Sequence, residues 1–295
     1  MYQRGRAMEI IKHLIPLLLT ISLALLVVAA GLASSRGNFV YVLSRPKLLL
    51  QAFGAIVAIP VIAAMVIVAI FPISPAAKAG ILLMALSPVP PLMPGKALKA
   101  GGHAAYVYGL MATGAVFAVI FVPILGALAA RFYDVHAQFP VGVVARNIFV
   151  GVTVPLIVGL LLGRLLFKGP SPKLTRAVTI AAYVLLVLAA VPIIIKVWPQ
   201  MMALVGNGTV LAMALVALAA LLGGHFLGGD NMADRSSLAI AASMRHPGIA
   251  LALAGANHAN KAVSAAVLLF LIVGFLLLIP YQMIVRRHEK PEGQE

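Results

Sequence analysis

The sequence predicts an all-α integral membrane protein with about nine transmembrane helices. Of its 295 residues, 63% are apolar and 10% are charged, whereas soluble domains carry about 25% charged residues. No soluble core of this length could enclose so much apolar surface. The apolar residues are also grouped in runs of about 20, which is the length of a helix that crosses a bilayer.

Short polar links separate the apolar runs and leave no room for a soluble domain. The predicted spans are about 13–33, 48–71, 76–99, 104–131, 142–167, 175–197, 207–228, 235–258 and 262–286. The first run is predicted to be a mature helix, because it is long for a signal-peptide core and a poor cleavage site follows it. The polar tail, 289–295, is predicted to be disordered.

The formal charge of +15 raises the possibility of a nucleic-acid partner. The basic residues, however, flank apolar runs, as in Arg45–Pro46–Lys47 and Arg286–Arg287. This placement indicates anchoring among anionic lipids, so the bilayer is a predicted partner and nucleic acid is not. The absence of cysteine excludes disulfides, thiolate catalysis and Cys-ligated metals.

Two of the predicted spans are interrupted by proline. The third contains Ser87-Pro88-Val89-Pro90-Pro91-Leu92-Met93-Pro94-Gly95, and four prolines in this stretch cannot sit in a continuous helix. The eighth contains Ser243-Met244-Arg245-His246-Pro247-Gly248, where Pro247 suits the start of a second half-helix. Asp234 is the predicted N-cap of the first half.

Broken helices at membrane depth point to a transporter. The freed backbone groups are tolerated there only when protein or a water-filled cavity satisfies them. Two broken spans in corresponding places of two halves mark a transporter binding site. The alternative is that both are simple proline kinks in packed helices.

The distribution of Lys and Arg predicts the orientation. The side of the membrane that holds the C-terminus carries more of these residues than the other side. The positive-inside rule therefore predicts a multi-pass protein of the plasma (inner) membrane, with the N-terminus outside and the C-terminus in the cytoplasm.

At both breaks the sequence resembles the bile acid:sodium symporter family. The resemblance is carried by residues 240–254 around the second break, and by Ile81–Pro88 with Lys99-Ala100-Gly101-Gly102 around the first. It implies an inverted-repeat transporter with panel and core domains and two crossing broken helices. The implied domains are a first repeat over 1–133, with broken helix 76–99, and a second over 134–288, with broken helix 235–258.

The resemblance implies organic-anion transport, usually coupled to sodium, but the sodium-site positions are altered. The family's Ser-Asn pair falls on Met93 and Pro94, its Glu on Ala241, and its Gln and Asn on Arg245 and His246. A hard cation needs oxygen ligands and negative charge nearby. All seven acidic residues of the chain fall in predicted loops, helix starts or tails. No cofactor is therefore predicted, and sodium coupling is doubtful.

Arg245 is the most informative single residue, because a charge at mid-membrane is unfavourable and rarely faces lipid. It is predicted to anchor an anion bidentately, next to the N-terminus of the half-helix that starts at Pro247. Two alternatives are that it bonds carbonyls freed at the first break, standing in for sodium, or that it lies at another depth. The predicted substrate-binding residues are Arg245, His246, Ser243, Met244, Gly248, Met93, Pro94, Lys96, Ser87 and Thr113.

The predicted function is secondary active transport of a small organic anion, either bile acid-like or another carboxylate or sulfonate, by alternating access. The coupling ion, the substrate and the oligomeric state are left open. One alternative is a non-transporting or channel-like membrane protein of the same fold. An intramembrane enzyme is the other, but the chain has none of the motifs for pyrophosphate, serine-nucleophile or zinc chemistry, so no enzymatic activity is predicted.

Overall fold

The computed structural model describes residues 2–35, 37–167 and 171–289, and all regular structure in these ranges is helical. In chain order the helices are α1 (Tyr2–Ala33), α2 (Pro46–Phe53), α3 (Ile59–Ile70), α4 (Pro75–Leu86), α5 (Met93–Lys99), α6 (Ala104–Phe132), α7 (Val141–Ile148), α8 (Val154–Phe167), α9 (Pro172–Met202), α10 (Thr209–Leu227), α11 (Met232–Ser243), α12 (Pro247–Ala256) and α13 (Lys261–Glu289).

The helix lengths confirm the predicted class of an all-α integral membrane protein. Within the described ranges, 8 helical stretches are long and apolar enough to cross a membrane, and α4 is a shorter apolar helix. The helices begin and end close to the predicted spans, except that α1 begins at Tyr2 instead of near residue 13. Residues 290–295 of the predicted tail lie outside the described residues.

Two spans contain a π-helical turn shortly before a proline. Gly54–Ala58 joins α2 to α3 ahead of Pro60, and Phe149–Thr153 joins α7 to α8 ahead of Pro155. Proline has no N–H, so the carbonyl four residues before it loses its α-helical partner. In a π turn a carbonyl accepts from the N–H five residues later, as the Gly54 carbonyl does from Ile59 N–H.

The chain forms two compact units. The first contains α1, α8 and most of α9, and the second contains the other helices, including both broken ones. The resemblance predicts that the two broken helices share one domain, and here they share the second unit. The compact units do not coincide with the predicted repeats, and the repeat boundaries stay a prediction.

In the first unit, α1 and α8 pack with their backbones in close approach. A Cβ on Gly31 would lie 2.6 Å from the Leu156 carbonyl oxygen and 2.9 Å from the Gly159 Cα. Small residues at such positions are the usual way in which membrane helices approach closely, because no hydrophobic effect drives them together in lipid.

In the second unit, the broken helices form the interior. Every residue from Ser236 to His246 is buried, as is every residue from Leu83 to Pro91. α10 packs along α11, and α13 packs along α4. The polar residues of both breaks are thereby removed from lipid, which is where discontinuous backbone is tolerated at membrane depth.

We expect Gly31→Val to destabilise the first unit by about 1–3 kcal/mol, the usual range for overpacking a tight contact. The matched control is Gly151→Val, because a Cβ on Gly151 meets nothing within 4 Å. Thermal unfolding of the purified variants measures the difference, and equal melting temperatures would contradict the close approach of α1 and α8.

Candidate functional site

The first break lies between α4 and α5. α4 ends at Leu86, and Pro88, Pro90 and Pro91 prevent the backbone from continuing as a helix until Met93. The Ser87 hydroxyl donates to the Leu83 carbonyl at 2.7 Å. The Ser87 side chain is therefore bonded to its own helix, while the Ser87 carbonyl lies just past the last residue of α4.

The second break lies between α11 and α12 and consists of three residues in extended or loop conformation, 244–246. The imidazole Nδ1 of His246 accepts a hydrogen bond from Ile249 N–H at 3.4 Å and caps α12. Gly248 permits this cap, since a Cβ there would lie 2.9 Å from His246 Cε1.

At the N-terminal end of α11 the predicted cap is wrong. Asn231, not Asp234, caps the helix, and its side chain accepts from Ala233 N–H at 2.9 Å.

Arg245 joins the two breaks to a third helix. Its Nη1 and Nη2 donate to the Ile56 carbonyl at 2.8 and 2.9 Å, and Nη1 also donates to the Ser87 carbonyl at 3.5 Å. The backbone N–H of His246 donates to the same Ser87 carbonyl at 3.5 Å. Arg245 is 3% exposed, so these oxygens solvate a guanidinium that water scarcely reaches.

The acceptors of Arg245 are carbonyls at places where the α-helical backbone is interrupted. Ile56 lies in the π turn Gly54–Ala58, four positions before Pro60, and Ser87 follows the last residue of α4. A buried carbonyl without a donor is unfavourable by about 1–3 kcal/mol, and a charged donor forms the stronger kind of hydrogen bond. Sequence reasoning missed Ile56, although Pro60 was a signal, because proline lacks the N–H that an α-helix would offer to the Ile56 carbonyl.

Several predicted residues surround one small depression beside α13. Its walls are formed by Met84 of α4, by Ser243, Met244 and Arg245 at the end of α11 and in the second break, and by Phe270, Leu271, Gly274 and Phe275 of α13. The Lys96 ammonium lies 6.0 Å from the centroid of the Phe275 ring. The depression therefore combines an apolar lining with two cations nearby.

The other predicted residues are buried around the breaks. Met93 is fully buried, and Pro94 is a buried residue of the first turn of α5. The Ser243 hydroxyl donates to the Ile240 carbonyl at 3.3 Å, as serine hydroxyls in helices commonly do. The Thr113 hydroxyl is buried and has no hydrogen-bond partner among the described residues. Its neighbour Gly114 abuts the first break, because a Cβ there would lie 2.7 Å from Val89 Cγ2.

These features define a class: a multi-pass helical membrane protein in which two discontinuous helices meet in the interior of one unit. The profile of the Sodium Bile acid symporter family matches residues 20–204, which is more than half of the chain. The protein therefore belongs to this family. Its members are transporters, which confirms the prediction that it is not an enzyme. No curated protein matches the chain.

The matched range includes the first break but ends before the second, so the residues of the second break have to be judged by their own chemistry. The described residues include no group of three or more His, Asp or Glu side chains that could hold a metal ion, and Ala241 is fully buried. The Ile56 and Ser87 carbonyl oxygens accept hydrogen bonds from the Arg245 guanidinium.

We expect Arg245→Met to lower the stability of the protein by about 1–3 kcal/mol, because it removes the side-chain donors from the buried Ile56 carbonyl and leaves the Ser87 carbonyl only the long bond from His246 N–H. Thermal unfolding measures it, with Arg131→Met as the control on an exposed residue of α6. Equal effects of the two substitutions would show that Arg245 does not hold the breaks together.

Proposed function

We propose that the protein is a secondary active transporter of a small organic anion, such as a carboxylate or sulfonate, and that it works by alternating access. The observation that carries the proposal is the buried Arg245 at the meeting point of the two breaks. Family membership supports organic-anion transport in general terms. The crossing of two discontinuous helices supports a binding site that can be reached from either side of the membrane.

In this proposal, the positive charge at the breaks attracts the anionic head of the substrate. The depression beside Arg245 has no carboxylate in its lining, so the charge of the guanidinium is shared with carbonyl dipoles only. His246 adds a donor: because Nδ1 accepts from Ile249, the neutral imidazole carries its proton on Nε2. Lys96 steers the anion, and Met93 and Met244 contact its apolar body.

We further propose that Arg245 replaces the coupling cation. Of the roles considered for Arg245, the hydrogen bonds favour the structural one, since Nη1 and Nη2 both bind carbonyls of other helices. A tethered guanidinium supplies at all times the positive charge that a bound sodium ion would supply only when present. Transport is therefore sodium-independent, and either another gradient or exchange drives it.

The membrane location and the alternatives belong to the same proposal. The protein spans a membrane several times, and we propose the plasma (inner) membrane with the N-terminus outside, on the Lys and Arg distribution. A channel-like or non-transporting protein of this fold is the second candidate. It is favoured if solute equilibrates across the bilayer without regard to any applied gradient.

We expect uptake of an anionic substrate into proteoliposomes to be the same in sodium and in potassium buffers, because the cation site is filled by the protein. A ligand-stabilisation screen with carboxylates, sulfonates and sterol acids identifies the substrate to use, since ligands that bind the native state raise its melting temperature. In that screen Arg245→Ala should lose the response to anions. Stabilisation by sodium alone would overturn the proposal of a replaced cation.

We expect a single cysteine at Met244 to react with an impermeant thiol reagent from both sides of the membrane, in proportions that substrate changes. The chain has no cysteine, so Met244→Cys provides a unique thiol in the depression beside Arg245. Ala241→Cys is the control, because position 241 is fully buried in α11. Reaction from one side only, whatever the substrate, would contradict alternating access.

A further inference from the structure

A second cavity, of about 490 Å³, lies in the second unit at the end where α4 begins and where α6 and α12 end. Its lining is almost wholly apolar and is formed by residues of α4, by the end of α6 and the segment after it, and by the end of α12. Cavities of about 300–1,000 Å³ with apolar walls and a few polar groups are typical ligand sites. None of the residues predicted to bind substrate lines this cavity.

One wall of the cavity is held rigidly by hydrogen bonds. The Tyr133 hydroxyl donates to the Met65 carbonyl at 2.6 Å, and burial raises the pKa of Tyr133, so the hydroxyl keeps its proton. The Asn257 side chain accepts from Gln138 N–H at 2.6 Å and donates to the Gln138 carbonyl at 2.7 Å and the Leu253 carbonyl at 2.8 Å. These bonds fix the segment after α6 to the middle of α3 and to the end of α12, so the cavity is preorganised for binding.

The charged and titratable side chains in the lining of the cavity are Lys78, His136 and the Tyr133 phenol, and the lining contains no carboxylate. Lys78 lies one turn into α4, whose first turn contains no acidic residue. A cation near the positive end of a helix dipole is unfavourable unless an anion lies close to it. The cavity thus has an apolar interior and an uncompensated positive charge in its wall. These two features complement a molecule that has an apolar body and one negative charge.

We propose that this cavity binds one amphipathic anion: an alkyl chain within the apolar walls, with a single sulfonate or carboxylate at Lys78. The volume suits one chain and is too small for a phospholipid with two acyl chains. The proposal does not depend on transport at the breaks, because the site is defined by other residues. Its occupant would contact α4, which ends at the first break, and α12, which begins at the second.

The test measures binding of decanesulfonate to the full chain in phosphatidylcholine nanodiscs, with decanol and decyltrimethylammonium as neutral and cationic controls. We expect Lys78→Gln to weaken decanesulfonate binding about tenfold, the effect of losing one charge-assisted contact, and to leave decanol binding unchanged. The matched control is Lys196→Gln, an exposed residue of α9 outside the lining. Because water and salt screen exposed charges, its effect should stay within about twofold.

A diazirine-bearing alkyl sulfonate then locates the site by mass spectrometry. We expect labels in 75–86, 129–139 and 253–263, and their loss in Ala79→Trp, which fills the cavity. Lys78→Gln keeps the apolar packing, so its result stands even where the Ala79→Trp chain does not fold. Equal effects of Lys78→Gln and Lys196→Gln would overturn the proposal. So would labels confined to residues 243–248, or a co-purified phospholipid that decanesulfonate does not displace.

Discussion

The second unit depends on one interaction, the pairing of the buried Arg245 guanidinium with two backbone carbonyls. Arg245, at the second break, donates to the Ile56 carbonyl in the π turn before α3 and to the Ser87 carbonyl at the end of α4. The guanidinium and the carbonyls would each be unfavourable alone, because an unpaired charge and a carbonyl without a hydrogen-bond donor are both costly within a bilayer. Together they join both breaks to the helix that contains Ile56.

The same interaction bears on the sodium coupling that the family name describes. A hard cation is bound by oxygen ligands, among them carboxylates and backbone carbonyls. Here the carbonyls are present, but they face a covalently attached cation, and no carboxylate accompanies them. A tethered cation cannot dissociate, so it can hold the breaks together but cannot carry energy from an ion gradient. That difference is the physical basis for proposing anion transport without sodium.

The candidate site was only partly predictable. The importance of Arg245 followed from a charge at mid-membrane, and the two breaks followed from the prolines. The roles of His246 and Gly248 did not follow, because the structure uses the His246 ring to cap α12 and Gly248 to make room for that ring. The Ser87 and Ser243 hydroxyls bond their own helices, a local choice that sequence leaves open. Which of the predicted residues contact substrate stays a prediction.

The sequence by itself determined the membrane class, the approximate spans and the two breaks, because the length of an apolar run and the missing N–H of proline are local properties. It also determined that the breaks carry positive and not negative side chains. Only the tertiary structure decided that Arg245 reaches Ile56, a residue 189 positions away in the chain, and that both broken helices share one unit. It also decided that the cavity at Lys78 exists. These three features depend on which helices pack against each other, and that packing joins segments that are far apart in the chain.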